Sequence, residues 1–161
     1  MPSLDDQKRA LRAELRNLLP KPGSPEFVAA SVKAQDRLAA AALQAQGCEV
    51  CYPAVAPGER ALQFRRASGA FVAGALGVEE PTGAPVSLDQ IGLLVVPALA
   101  VDSSGRRLGR GKGHYDATLA ACRGPSVALV FDSQLVPEVP VGEHDRRVGA
   151  VCTDLRWVSV L

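Results

Sequence analysis

Apolar residues at the start of the chain recur with a helical period. Leu4, Leu11, Leu15 and Leu18 form one stripe, and Lys8, Arg9, Arg12 and Arg16 decorate the exposed face. Ser3, with Asp6 three residues on, supplies a helix-start signal. Pro20, Pro22 and Pro25 then break the pattern, and Ser24-Pro25 suits the opening of a second helix that runs to Gln46 and closes at Gly47. Beyond Gly47 the apolar residues gather into short runs at 48–52, 62–66, 92–96, 127–131 and 148–152, which read as strands. Leu93, Leu94, Val95 and Val96 are continuously apolar, as expected of a strand covered on both faces. Residues 115–122 read as a short helix. The order strand, glycine-rich loop, helix, strand predicts an α/β fold containing a parallel unit with a right-handed crossover. Ligands of such sheets bind beyond the carboxyl ends of the strands, which places the binding edge between Pro97 and Asp116.

Composition narrows the class. A chain of 161 residues fits one domain, spanning 1–161, and buries roughly two-thirds of the surface of its unfolded form. With 47% hydrophobic and 22% charged residues it resembles an ordinary globular protein rather than a disordered or membrane one. A net charge of +1 gives no general reason to expect nucleic acid as partner, so electrostatic recognition has to be local. The arginine pairs Arg106-Arg107 and Arg146-Arg147 alone speak for RNA. The longest apolar run, 91–100, is interrupted by Pro97 and too short to cross a bilayer. The first residues carry Asp5 and Asp6 where a secretory signal would be basic, so a cytoplasmic location is expected. Cys48 and Cys51 have C-x-x-C spacing, but a strand there points them to opposite faces, and no second ligand pair follows.

The chemistry concentrates in one loop, where Gly109, Gly111 and Gly113 alternate with Arg110 and Lys112. Glycines let backbone N–H groups turn toward an anion, and interleaved cations supply opposing charge. A helix starting near Gly113 would add its free N–H groups and positive dipole end. A solvated glycine-rich turn joining two elements accounts for the same pattern. The loop is neither G-x-x-x-x-G-K-[ST] nor G-x-G-x-x-G.

The string Arg107-Leu-Gly-Arg-Gly-Lys-Gly-His-Tyr-Asp116 resembles the signature R-x-G-x-G-x-G-[FY]-Y-D of 5-formyltetrahydrofolate cyclo-ligases, also called methenyltetrahydrofolate synthetases. Lys8-Arg-Ala-Leu-Arg12, Leu76-Gly-Val-Glu-Glu-Pro81 and Val141-Gly-Glu-His-Asp145 are similar to that family in the same order. The resemblance implies a three-layer α/β/α, Rossmann-like fold with a mostly parallel sheet. It also implies an ATP- and Mg²⁺-dependent ligase that converts 5-formyltetrahydrofolate to 5,10-methenyltetrahydrofolate through a phosphorylated formyl group, releasing ADP and phosphate. Carried over by position, it implies that Lys8 and Arg12 contact ATP, and that Arg107, Gly109, Arg110, Gly111, Lys112, Gly113, His114 and Tyr115 wrap the phosphates. Arg12, Arg110, Gly111, Lys112 and Tyr115 would also reach the folate, with Arg110 and Lys112 as catalytic charge stabilisers. Asp116 and Asp145 are the implied Mg²⁺ ligands, in keeping with that ion's habit of taking one or two carboxylates plus phosphate oxygens. The implied partners are small molecules, with no nucleic acid and no membrane, and the implied state is a monomer.

Two departures stand out. His114 occupies the Tyr/Phe position of the signature, where an imidazole can stack or donate a hydrogen bond. More substantially, the family's extra strand and E-[IVL]-x-T motif, whose glutamate contacts folate, have no counterpart: the flanking segments join near Ala39 to Ala42. Either the protein carries a deletion or residues are missing from the sequence at that point. A true deletion removes a strand partner, exposes a sheet edge, and weakens folate binding more than ATP binding. A relative that binds nucleotide or folate without catalysis is the alternative reading.

Overall fold

The computed structural model describes residues 2–18, 47, 49–66, 70–74 and 79–160. Helix α1 (Leu4–Leu18) starts as its capping signal predicts. Ser3 Oγ accepts the Asp6 N–H at 3.2 Å, and the Asp6 carboxylate accepts from the Ser3 N–H and hydroxyl at 3.3 and 2.7 Å. The expected second helix, the junction near residues 39–42 and Cys48 lie outside the described residues.

Strands come in short pieces: β1 (Cys51–Ala54), β2 (Gln63–Arg66), β3 (Phe71–Ala73), β4 (Glu79–Pro81) and β5 (Pro85–Val86). β1, β2 and β5 form one antiparallel sheet, and β3 and β4 a hairpin. Then come β6 (Leu94–Pro97), a two-residue hairpin of β7 (Ala100–Val101) and β8 (Arg107–Leu108), helix α2 (His114–Ala121), and β9 (Ser126–Leu129). β10 (Ala150–Cys152) and β11 (Trp157–Ser159) complete a sheet of order β11-β10-β9-β6.

The strand, loop, helix, strand unit is as expected: β6 and β9 pair in parallel, with Val95 opposite Val127, and β10 extends the pairing with Val151 opposite Ala128. The expectation of a mostly parallel sheet holds for the β11-β10-β9-β6 sheet, two of whose three pairings are parallel, and the β1-β2-β5 sheet is antiparallel. Parallel strand pairing among the described residues is confined to β6, β9 and β10, and the architecture is mixed α/β. Connection length explains this. Residues 55–62 and 153–156 are too few for a parallel crossover, which takes a dozen or more, so they can only reverse the chain.

The main core joins both sheets: Leu62 and Phe64 pack with Leu94, Val96, Val101, Ala128, Val130, Val148 and Val151. A second cluster of Ala100, Leu108 and Val139 receives Leu11 of α1. That contact sets α1 beside the β7–β8 hairpin, and from there Lys8 reaches Asp145 and Arg12 reaches the backbone of Gly109. In β6, the Leu94 N–H donates to the Pro125 carbonyl at 2.9 Å. By alternation the backbone groups of Val95 and Pro97 therefore turn away from β9, toward a side where no described strand pairs. No helix among the described residues is long and apolar enough to cross a membrane.

Candidate functional site

The loop begins with a tightly tied turn. Asp102, 2% exposed, accepts the N–H groups of Ser104 and Arg106 on one carboxylate oxygen, at 2.9 and 3.1 Å. Its other oxygen accepts the Val139 N–H at 3.0 Å. Gly105 has φ +74°, and a Cβ there would stand 2.3 Å from the Val148 carbonyl oxygen, so only glycine closes the turn. The sequence Asp-Ser-Ser-Gly carries ordinary turn chemistry, which could have announced this anchor.

Beyond the turn, Arg107 is buried, its side chain 3% exposed, and its Nη2 donates to Asp116 Oδ1 at 2.8 Å. Its guanidinium carbon sits 5.9 Å from the centre of the Tyr115 ring. Burial lowers the Arg107 pKa, against the nearby charges of Asp116 and Asp145, and burial likewise raises the Tyr115 phenol, against Arg107. Arg107 Nε is buried without a hydrogen-bond partner among the described residues, a donor held inside the loop.

Gly111 and Gly113 adopt φ of 89° and 73°, the left-handed turn that glycine takes freely. Gly113 caps α2, and the helical ladder starts only with the Ala117 N–H on the Gly113 carbonyl, at 3.1 Å. The amides of the first turn are thus left without a helical acceptor, the kind of donor set that suits an anion. Arg110 and Lys112 project as exposed side chains without an ion pair among the described residues. Arg12 Nε donates to the Gly109 carbonyl at 3.1 Å, which clamps α1 to the loop.

Asp145 is reached from two directions: Lys8 Nζ forms an ion pair with its Oδ2, and the Gly142 N–H donates to the same atom at 2.6 Å. Burial works to raise the Asp145 carboxyl, but the Gly142 N–H and Lys8 outweigh it and hold the pKa below the ordinary carboxylate value. Asp116 Oδ1 also accepts the Arg146 N–H at 3.0 Å. Lys8 with Asp145, Arg12 with Gly109, and Arg107 with Tyr115 and Asp116 are therefore brought together. His114 is not turned wholly to the loop, since its Nδ1 lies 2.8 Å from the Arg60 carbonyl oxygen. Sequence reasoning missed the Gly142 and Arg146 amides, because backbone donors leave no mark in the residue type.

No group of three or more His, Cys, Asp or Glu side chains capable of holding a metal occurs among the described residues. Asp116 Oδ2 and Asp145 Oδ1 each remain without a hydrogen bond among the described residues. Two such oxygens fit Mg²⁺ bound jointly with phosphate, rather than a cage made by the protein alone.

Fold and loop together define a mixed α/β protein whose glycine-rich, cation-bearing loop follows the carboxyl end of a parallel strand. A family model described as the 5-formyltetrahydrofolate cyclo-ligase family matches residues 27–154, and the chain belongs to that family. It is similar to a 5-formyltetrahydrofolate cyclo-ligase of Mycolicibacterium smegmatis, 42% identical over 98 residues that make up 58% of this chain and 50% of the relative. The chain thus spans half the length of that curated relative. The fold resembles that of a 5,10-methenyltetrahydrofolate synthetase from Aquifex aeolicus, with TM-score 0.61 and 21% identity over 99% of this chain and 85% of the other. It also resembles a 5,10-methenyltetrahydrofolate synthetase from Mycoplasma pneumoniae, with TM-score 0.65 and 16% identity over 89% and 96%.

Proposed function

We propose that the protein converts 5-formyltetrahydrofolate to 5,10-methenyltetrahydrofolate at the expense of ATP, yielding ADP and phosphate. The observation that carries this reading is the buried Arg107–Asp116 pair set inside a loop of left-handed glycines, with one Arg107 donor unpartnered and the exposed cations Arg110 and Lys112 alongside. Such a loop suits phosphoryl transfer, which needs positioning and charge stabilisation more than covalent chemistry. The amides of the Gly113–Asp116 turn and Arg107 Nε would bind phosphate oxygens. Lys112 and Arg110 would neutralise charge that builds up as the phosphoryl group passes to the formyl oxygen. The folate nitrogen N10 then attacks the activated carbon and gives up its proton, and the C–O bond breaks as phosphate leaves carrying the former formyl oxygen. Lys8 and Arg12, fixed by Asp145 and Gly109, would hold the nucleotide. Asp116 and Asp145 would carry Mg²⁺, which supplies neutralisation of the phosphate charge.

The test is direct. Incubation with ATP, Mg²⁺ and 5-formyltetrahydrofolate should generate the absorbance of the methenyl product, and Lys112→Ala should slow turnover at least roughly tenfold. Nucleotide binding by calorimetry without any product at high enzyme concentration would overturn the catalytic reading and favour a binding-only relative. An unchanged rate in Lys112→Ala would remove that residue from the mechanism.

A further inference from the structure

His114 stands where the family signature has Tyr or Phe, and its ring does something neither could do. A carbonyl oxygen can only accept, so the 2.8 Å contact with Arg60 requires the proton on His114 Nδ1. One turn along α2, fully buried Thr118 accepts the Leu62 N–H at 2.9 Å and donates its own hydroxyl to the His114 carbonyl at 2.7 Å. The residues at helix positions i and i+4 share a face, so this face grips both ends of the Arg60–Leu62 segment by its backbone. The segment ends the turn between β1 and β2, whose sheet shares no strand ladder with the parallel sheet among the described residues. Hydrogen bonds from α2 therefore stand in for a ladder between the two. His114 directly follows Gly113, so the turn it holds borders the free amides of the loop.

Building on the proposed reaction, we infer that His114 is a positioning residue. Its ring N–H sets the β1–β2 turn as the wall facing the phosphate loop, and so governs the grip on the folate rather than on the nucleotide.

The comparison is between His114→Phe, which keeps a ring but loses the donor, and His114→Asn, whose amide N–H lies near the place of Nδ1. In the free protein, amide exchange of β2 and the turn before it should speed up roughly fivefold in His114→Phe, the scale of one hydrogen bond, and return toward wild type in His114→Asn. Exchange in β9 should not move. With ATP and 5-formyltetrahydrofolate, KM for the folate should rise roughly fivefold in His114→Phe, more than kcat or the KM for ATP changes, with recovery in His114→Asn. Unchanged exchange in His114→Phe, or faster exchange spread evenly over β2 and β9, would overturn the inference. So would an asparagine variant that restores exchange but not the folate KM. If the wild-type protein makes no product, the proposed reaction fails, and the exchange comparison still decides whether the clamp exists.

Discussion

The parallel strands β6, β9 and β10 and the antiparallel strands β1, β2 and β5 share one hydrophobic core but differ in how firmly they are bound to it. On the parallel side Val96, Ala128 and Val151 are fully buried, and the loop between β6 and β9 is tied by Asp102, Arg107 and α1. On the antiparallel side Leu62 and Phe64 reach the core, while Tyr52, Phe71 and the neighbouring Val72 stay 41%, 42% and 49% exposed. Tyr52 and Phe71 meet edge to face at 5.6 Å, outside the core. The difference teaches that one side of a molecule can be firmly tied to the core while the other depends on a few side-chain links.

Three changes probe this contrast. The largest effect is expected from Leu94→Ala, which empties a position 1% exposed in β6 and should cost about 2–5 kcal/mol in denaturant unfolding. Val72→Ala, at an exposed position of β3, should stay within about 0.5 kcal/mol of wild type; similar losses for both would erase the distinction. Thr118→Val comes next. It keeps the side-chain shape but strands the Leu62 N–H, at about 1–3 kcal/mol. Its effect on exchange should centre on β2, and a loss centred on β10 would contradict the link described.

A smaller effect than that of Thr118→Val belongs to Asp132, which accepts from Thr153 Oγ1 at 3.0 Å and from Arg156 Nε and Nη2 at 2.7 and 2.6 Å, pinning the β10–β11 turn. The Arg156 hydrogen bond, chiefly, holds the Asp132 carboxyl below its ordinary value. A depressed folded-state pKa contributes stability above the unfolded value of about 3.9 and loses it as pH falls through the folded value. Asp132→Asn should therefore lower Tm slightly at neutral pH, and the gap from wild type should close in acid. A gap that widens in acid would reverse the assignment.

Legibility follows length and residue type. β6, β9 and β10 are readable within two or three residues because unbroken apolar runs mark buried strands. β3, β5, β7, β8 and β11 span only two or three residues each, too few to show alternation, so the hairpins escape notice. In the site, alternating glycines and cations announce the loop after β8. Pairing of Arg107 with Asp116 is not in the pattern, since nothing in the residue types tells which aspartate a buried arginine will choose. The bond from His114 to Arg60 spans 54 residues and ends on a carbonyl that any residue would offer.

Pro97 gives β6 a further property. A strand at the end of its sheet is a template on which another chain can pair, and the backbone groups that face away from β9 belong to Val95 and Pro97. Proline has no N–H to offer there, so a visiting strand would find its anchoring row cut short at the carboxyl end. Replacing Pro97 would restore that donor and lengthen the row. The residue that spoils the apolar run as a membrane span also makes the side of β6 on which no described strand pairs a poor seed for aggregation.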